Sequence, residues 1–323
     1  MKNIVIVGGG TGAFTLLTGL RNFSTNNTVI VSSADDGGST GKLRKELGVF
    51  PPGDLRQCLV GLSYADGYLK QLFNYRFEKG GLAGHTAGNI ILAALEKTTG
   101  GVESAVSMAG KLLNVRGQVL PVTLEPTLFT AILNNGKKII GEHNIDERRS
   151  VRNEAFKIKT LQLSPNSPAN PKAILALKTA DIIVFGPGDL YTSILPNLLV
   201  KGIKEAVDVS KAKRVLVTGL MTKPGQTDGF DSAEFVKVVN KYLGNKKLDT
   251  VIVNAQKPAK GSLVKYKQAG AEFVRPVKSL SGVKVILADL VSDMVYKKSK
   301  FDKLQRSLLR HNSDRLAQII YEL

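Results

Sequence analysis

A chain of 323 residues, 43% hydrophobic and 22% charged, has the make-up of a folded globular protein; this excludes disorder and leaves room for one large α/β domain or two smaller ones. Lys and Arg number 45 against 27 Asp and Glu, a formal net charge of +18, so the expected partners are anions. The single cysteine, Cys58, excludes an intrachain disulfide, and three scattered histidines, His85, His143 and His311, show no metal-ligand spacing.

The basic residues are dispersed in pairs such as Lys137-Lys138 and Arg148-Arg149, without a helix-turn-helix, zinc-finger or aromatic RNA-binding signature. Phosphorylated metabolites are therefore the expected partners, and nucleic acid is not. No apolar run approaches the roughly 20 residues of a membrane span. The opening MKNIVIVGGG is too short in its apolar part for a signal peptide, so the expected compartment is the cytoplasm.

In chain order, Ile4 to Val7 is a continuous apolar run, as in a strand covered on both faces. Thr11 to Leu20 predicts a helix and Thr28 to Ser32 the second strand. Asp54 to Leu62, Gly67 to Phe73 and Ile90 to Lys97 predict helices. Val119 to Leu124, Phe129 to Leu133 and, past the Asn134-Asn135-Gly136 turn, Lys138 to Ile140 predict an antiparallel excursion. The Pro- and Asn-rich stretch Ser164 to Pro171 is the expected internal seam. Asp181 to Phe185, Arg214 to Thr218 and Thr250 to Val253 predict further strands with helices between them. Phe301 to Leu323 reads as two helices broken near His311-Asn312-Ser313. The pattern predicts a single α/β domain over 1–323: a Rossmann-like, doubly wound, mainly parallel sheet with an insertion at about 115–165 and a C-terminal helical segment at about 299–323.

The first chemical signal is Gly8-Gly9-Gly10-Thr11-Gly12, between a strand and a helix. Glycines there let backbone N–H groups approach a phosphate, and the helix N-terminus adds partial positive charge. The alternative is a tight turn without a ligand. The second strand runs into Ser32-Ser33-Ala34-Asp35-Asp36-Gly37-Gly38-Ser39-Thr40-Gly41, where paired carboxylates at a sheet's carboxyl edge suit magnesium. Capping of the next helix by Asp36 or Ser39 is the alternative. Asp54, after Pro51-Pro52-Gly53, is either a helix N-cap or a third carboxylate in the same crevice, and Cys58 is a buried packing residue. Gly84-His85-Thr86-Ala87-Gly88-Asn89 precedes another helix with small and polar groups suited to a ligand. Gly141-Glu142-His143-Asn144 is polar punctuation without a reading of its own. Gly186-Pro187-Gly188-Asp189-Leu190-Tyr191-Thr192-Ser193 is a second glycine turn after a strand, a second anion cradle beside the first, with Thr192 and Ser193 as hydroxyl donors. Met221 to Thr227 is expected along the same edge.

The ordered set GGGTG, ADDGGSTGKLR, LGVFPPGDLRQCL, GHTAGN, LLNVRGQVLP, GPGDLYTSILPNLL and LMTKPGQTDG resembles the CofD/YvcK family, most closely its YvcK branch, labelled gluconeogenesis factor. The resemblance implies a ligand crevice at the carboxyl edge of a Rossmann-like sheet. CofD-type members transfer a phospholactyl group from a guanosine diphosphate conjugate and use magnesium held by aspartates that match Asp35-Asp36 and Asp54. The YvcK branch resembles a cytoplasmic binder of UDP-sugars such as UDP-N-acetylglucosamine, tied to gluconeogenic growth, cell shape and cell-wall precursor supply. Tyr266 and the Arg310-His311 pair resemble positions that close over the nucleotide sugar.

This chain departs from the pattern in two places. Transferase members carry P-D-L-D where it has Gly53-Asp54-Leu55-Arg56, and Arg56 weakens a magnesium site in favour of a bare anion. The YvcK branch carries N-L-M-T-Q-P-G-E-T where it has Gly219 to Thr227, gaining Lys223 and losing an acid to Gln226. Two functions are expected: a non-catalytic nucleotide-sugar sensor read by a protein partner, or a magnesium-dependent transferase with Asp35 and Asp54 on the metal and Asp36 and Arg56 as catalytic candidates. A nicotinamide oxidoreductase ranks last, because two adjacent acids fit a ribose poorly. Self-association is also expected.

Overall fold

Strand β1 (Lys2–Val7) sends Val5 and Val7 into one hydrophobic core and Ile4 and Ile6 into another, the alternation of a strand buried on both faces. The computed structural model describes residues 1–151, 153–293 and 308–323. After β1 the strands are β2 (Thr25–Val31), β3 (Gln118–Pro121), β4 (Leu128–Leu133), β5 (Lys138–Ile140), β6 (Ile158–Ser164), β7 (Ile182–Phe185), β8 (Lys213–Val217), β9 (Thr250–Asn254) and β10 (Lys284–Ala288). The helices are α1 (Gly10–Leu20), α2 (Gly38–Leu47), α3 (Pro52–Leu62), α4 (Gly67–Asn74), α5 (Ala87–Thr99), α6 (Val102–Leu112), α7 (Glu142–Asp146), α8 (Pro171–Thr179), α9 (Leu195–Leu198), α10 (Ile203–Val209), α11 (Ser232–Tyr242), α12 (Lys260–Gln268) and α13 (Ser313–Glu322).

Seven strands form one sheet in the order β10-β9-β8-β7-β1-β2-β3, and every pairing in it is parallel. This is the expected Rossmann-like α/β sheet. The chain moves from β1 outward to β2 and β3, then returns to β7 on the other side of β1. The crevice between the β1 and β7 loops is therefore the topological switch point, where open α/β sheets place their ligands.

Helices α1, α3 and α13 cover one face with Leu16, Leu20, Leu59 and Leu316, and α8, α10 and α11 cover the other with Leu177, Ile203 and Val239. Helix α13 lies so close to α1 that a Cβ on Gly19 would stand 2.1 Å from the Ser313 carbonyl oxygen. Asn312 caps α13 by accepting the Arg315 N–H at 3.1 Å. No helix among the described residues is long and apolar enough to cross a membrane.

The antiparallel excursion begins later than expected. Val119 and Leu120 lie in β3, which pairs parallel with β2 and belongs to the main sheet. The second sheet, β5-β4-β6, starts at Leu128 and includes β6, which periodicity did not mark. A short run such as β3 carries no mark of its partner, so only the pairing assigns it. The Ser164 to Pro171 stretch is the return from this small sheet to α8. Helix α2 takes up the end of the Ser32 to Gly41 stretch, with Gly37 at its N-cap and no side-chain cap, and α6 and β10 are additional. Of the two expected C-terminal helices, the second is α13, and the first falls largely on 294–307, outside the described residues.

Candidate functional site

The β1 strand stops at Gly8, and α1 starts at Gly10 after an extended Gly9. Both Gly9 and Gly12 are closely walled. A Cβ on Gly9 would lie 2.0 Å from Asp54 Oδ2, and one on Gly12 would lie 2.1 Å from the Pro187 carbonyl oxygen. The first glycine turn therefore touches both the start of α3 and the second glycine turn. Between these elements lies a cavity of about 370 Å³.

The first turn lines this cavity with Gly9, Gly10, Thr11 and Gly12, and the second with Pro187, Gly188, Asp189, Thr192 and Ser193. Helices α1, α2 and α3 all begin beside it, contributing Gly10, then Ser39 and Thr40, then Gly53 and Asp54. Three helix N-termini bring partial positive charge to one hollow, a setting for an anion.

Arg56, one turn into α3, also lines it. Its side chain is held from behind: Nε donates to Asn89 Oδ1 at 2.9 Å and Nη1 donates to Asn74 Oδ1. Asn89 donates in turn to Ser39 Oγ at 3.2 Å, and Ser39 pairs with His85 Nδ1 at 3.0 Å. Arg56 is 5% exposed, so this network fixes its orientation. His85 is thus part of the framework, its basicity lowered by burial and by Lys42.

To the same cavity α7 contributes Glu142 and Asp146, and the loop after β8 contributes Met221, Thr222 and Lys223. Burial, then Asp35, Asp146, Asp54 and Asp36, push the Glu142 carboxyl well above its usual range. Lys223 bridges Asp146 and Asp189 at 2.9 and 3.3 Å. Tyr266 of α12 and the segment with Leu309, Arg310 and His311 complete the lining; the Leu309 N–H donates to the Tyr266 hydroxyl at 3.0 Å. His311 donates Nε2–H to the Thr218 carbonyl at 3.1 Å, and burial lowers its pKa to about 4.

Of the residues singled out from sequence, the structure brings Gly9, Gly10, Thr11, Gly12, Asp35, Asp54, Arg56, Asn89, Gly188, Asp189, Thr192, Ser193, Tyr266 and Arg310 to this cavity. It places five elsewhere. Gly8 and Gly186 are sheet positions whose N–H groups donate to Ile30 and Val7. Asp36 turns away and accepts the His143 N–H at 2.7 Å, which anchors α7. Leu190 and Tyr191 are 1% and 5% exposed and belong to the core, where their apolar surface is better satisfied than on a ligand. Asp54 is the third residue of α3, so it is not the N-cap.

Glu142, Asp146 and Lys223 are the residues sequence reasoning missed or left unassigned. A carboxylate just past Gly141 is the only local signal, and it is common to many turns. Among the described residues no three of Asp, Glu, His or Cys converge closely enough to form a protein-only metal site, and the two cavity carboxylates Asp35 and Asp54 would hold magnesium together with the oxygens of a phosphate ligand.

The chain matches the family model described as 2-phospho-L-lactate transferase CofD over residues 4–291. It is 38% identical over 323 residues to a gluconeogenesis factor of Bacillus subtilis, covering 99% of this chain and 97% of that protein. A gluconeogenesis factor of Halalkalibacterium halodurans is 38% identical over 323 residues, with 99% and 96% covered. The crystal structure of protein BH3568 from Bacillus halodurans superposes with a TM-score of 0.90 at 38% identity, covering 99% of both chains.

Proposed function

From the premise that this chain belongs to the CofD family, among relatives named gluconeogenesis factor, we propose that it binds a nucleoside diphosphate sugar of the UDP-N-acetylglucosamine type and acts as a regulator. The carrying observation is the meeting of two glycine turns at one hollow, with the Pro187 carbonyl against Gly12. Two backbone cradles side by side suit two linked phosphates. Arg56 adds a fixed guanidinium, and Tyr266 offers a ring for a base or sugar at the rim.

In this reading the protein is cytoplasmic and links nucleotide-sugar supply to gluconeogenic growth, cell shape and cell-wall precursors. Occupancy is read by a protein partner, and the chain self-associates. Calorimetric titration with UDP-N-acetylglucosamine tests the reading: saturable binding at one site per chain is expected, and no heat at millimolar ligand sinks it.

The second reading, a magnesium-dependent CofD-type transferase, draws on the family's description and on Asp35 and Asp54 at the cavity wall. In this reading Asp35 and Asp54 would hold the metal, and magnesium would supply charge neutralisation on the diphosphate. Incubation with donor conjugates and acceptors, followed by mass spectrometry, separates the two. A new transferred product makes the protein an enzyme, and ligand recovered intact makes it a sensor.

A further inference from the structure

Two acids that face the cavity already hold a cation. Lys223 Nζ lies 2.9 Å from Asp146 Oδ1, 3.1 Å from Asp146 Oδ2 and 3.3 Å from Asp189 Oδ2. Its side chain is 18% exposed, a position where an unpaired ammonium is costly. Burial opposes its charge, but Asp189 and Asp146 more than offset it and hold the ammonium above its ordinary range.

The seat is built from three distant segments: α7, the turn after β7 and the loop after β8. Gln226 donates Nε2 to Asp146 Oδ1 at 3.3 Å, and the Lys223 N–H donates to Thr227 Oγ1 at 2.7 Å. The loop is therefore fixed on both sides of the ammonium. With Lys223 charged, the trio carries one negative charge where the two acids alone would carry two.

We infer that Lys223 serves this cavity as a built-in cation, filling the seat between Asp146 and Asp189 that a divalent metal would take and letting a diphosphate-bearing ligand enter without one. Only the part about the ligand rests on the proposed nucleotide-sugar reading. An ammonium supplies one charge and three donors at a fixed place, whereas a divalent metal supplies two charges and demands further oxygen ligands.

Manganese, followed by loss of its free-ion spin resonance signal, is the probe. It is titrated into the full chain and into Lys223→Gln, Lys223→Met and Lys223→Arg, each checked for folding by circular dichroism. The wild type and Lys223→Arg are expected to take up no manganese at this seat up to about 1 mM. Lys223→Gln and Lys223→Met gain a saturable site, tighter by about tenfold or more, which a second change, Asp146→Asn, removes. Wild type binding manganese as tightly as the neutral variants overturns the inference, as does a folded neutral variant that gains nothing.

A parallel arm needs no variant: UDP-N-acetylglucosamine is titrated into the wild type in magnesium and in EDTA. Equal affinity supports the inference, and a loss of about tenfold or more on chelation overturns it. A sugar nucleotide that binds in neither buffer overturns the ligand reading alone, and the manganese arm then decides the role of Lys223.

Discussion

One part of the cavity lining is built on glycine turns and another on charged side chains, and the Lys223–Asp189 ion pair joins the two. The glycine wall comes from the loops after β1 and β7, neighbouring strands of a single sheet, so its shape follows from strand pairing. The charged part, with Glu142, Asp146 and Lys223, comes from α7 beside the small antiparallel sheet and from the loop after β8. The glycine wall has almost no room for added atoms, because it is in contact with carbonyls and with Asp54. The charged part is held by side-chain contacts, with Lys223 paired to Asp146 and Asp189 and Gln226 donating to Asp146. The shape of the hollow thus rests mainly on backbone packing and its charge balance on side chains.

The largest effect is expected where the backbone wall is touched. Gly12→Ala puts a methyl group 2.1 Å from the Pro187 oxygen. It should cost about 3 kcal/mol of stability and abolish nucleotide binding, measured by denaturant unfolding and calorimetry. A well-folded Gly12→Ala that still binds would break the contrast between the walls.

The pH response belongs to the side chains. His311 has a pKa of about 4 in the folded protein against an ordinary 6.5. Below pH 6.5 the unfolded chain therefore takes up a proton that the folded chain refuses. The contribution of His311 is complete above that pH and falls as pH drops toward 4, by roughly 3 kcal/mol. The fall should be shallower in His311→Asn, read as Tm against pH.

Arg56→Met removes the donors to Asn89 and Asn74 and should cost about 2 kcal/mol, with weaker binding of a diphosphate. The smallest expected change is a gain. Glu142 ionises with difficulty in the fold, so its charge destabilises the protein as pH rises above the ordinary carboxylate range. Glu142→Gln should raise Tm by about 2 °C at pH 7 and leave it unchanged at pH 4. A lower Tm at pH 7 would mean that Glu142 is held by attraction.

How much of this was legible in one dimension differs along the same line. Gly9 to Gly12 and Gly188 to Ser193 stand out locally, since glycines between an apolar run and a helical pattern have few other uses. Leu190 and Tyr191 lie inside such a motif and still pack in the core, because a helical turn must send some side chains inward. Asp36 adjoins Asp35 and faces α7 instead, since consecutive side chains diverge. Glu142 and Asp146 follow β5 with no local feature to distinguish them, and β3 looked like its antiparallel neighbours until its pairing with β2 was seen.

By itself the sequence determined the alternating strands and helices, the two glycine turns and the family, because each depends on the identity of residues close together along the chain. Only the tertiary structure decided which acids meet Lys223, which member of an adjacent pair faces the hollow and where the antiparallel sheet begins. Those are contacts between segments tens of residues apart, and their energy depends on burial and distance, which no local pattern encodes.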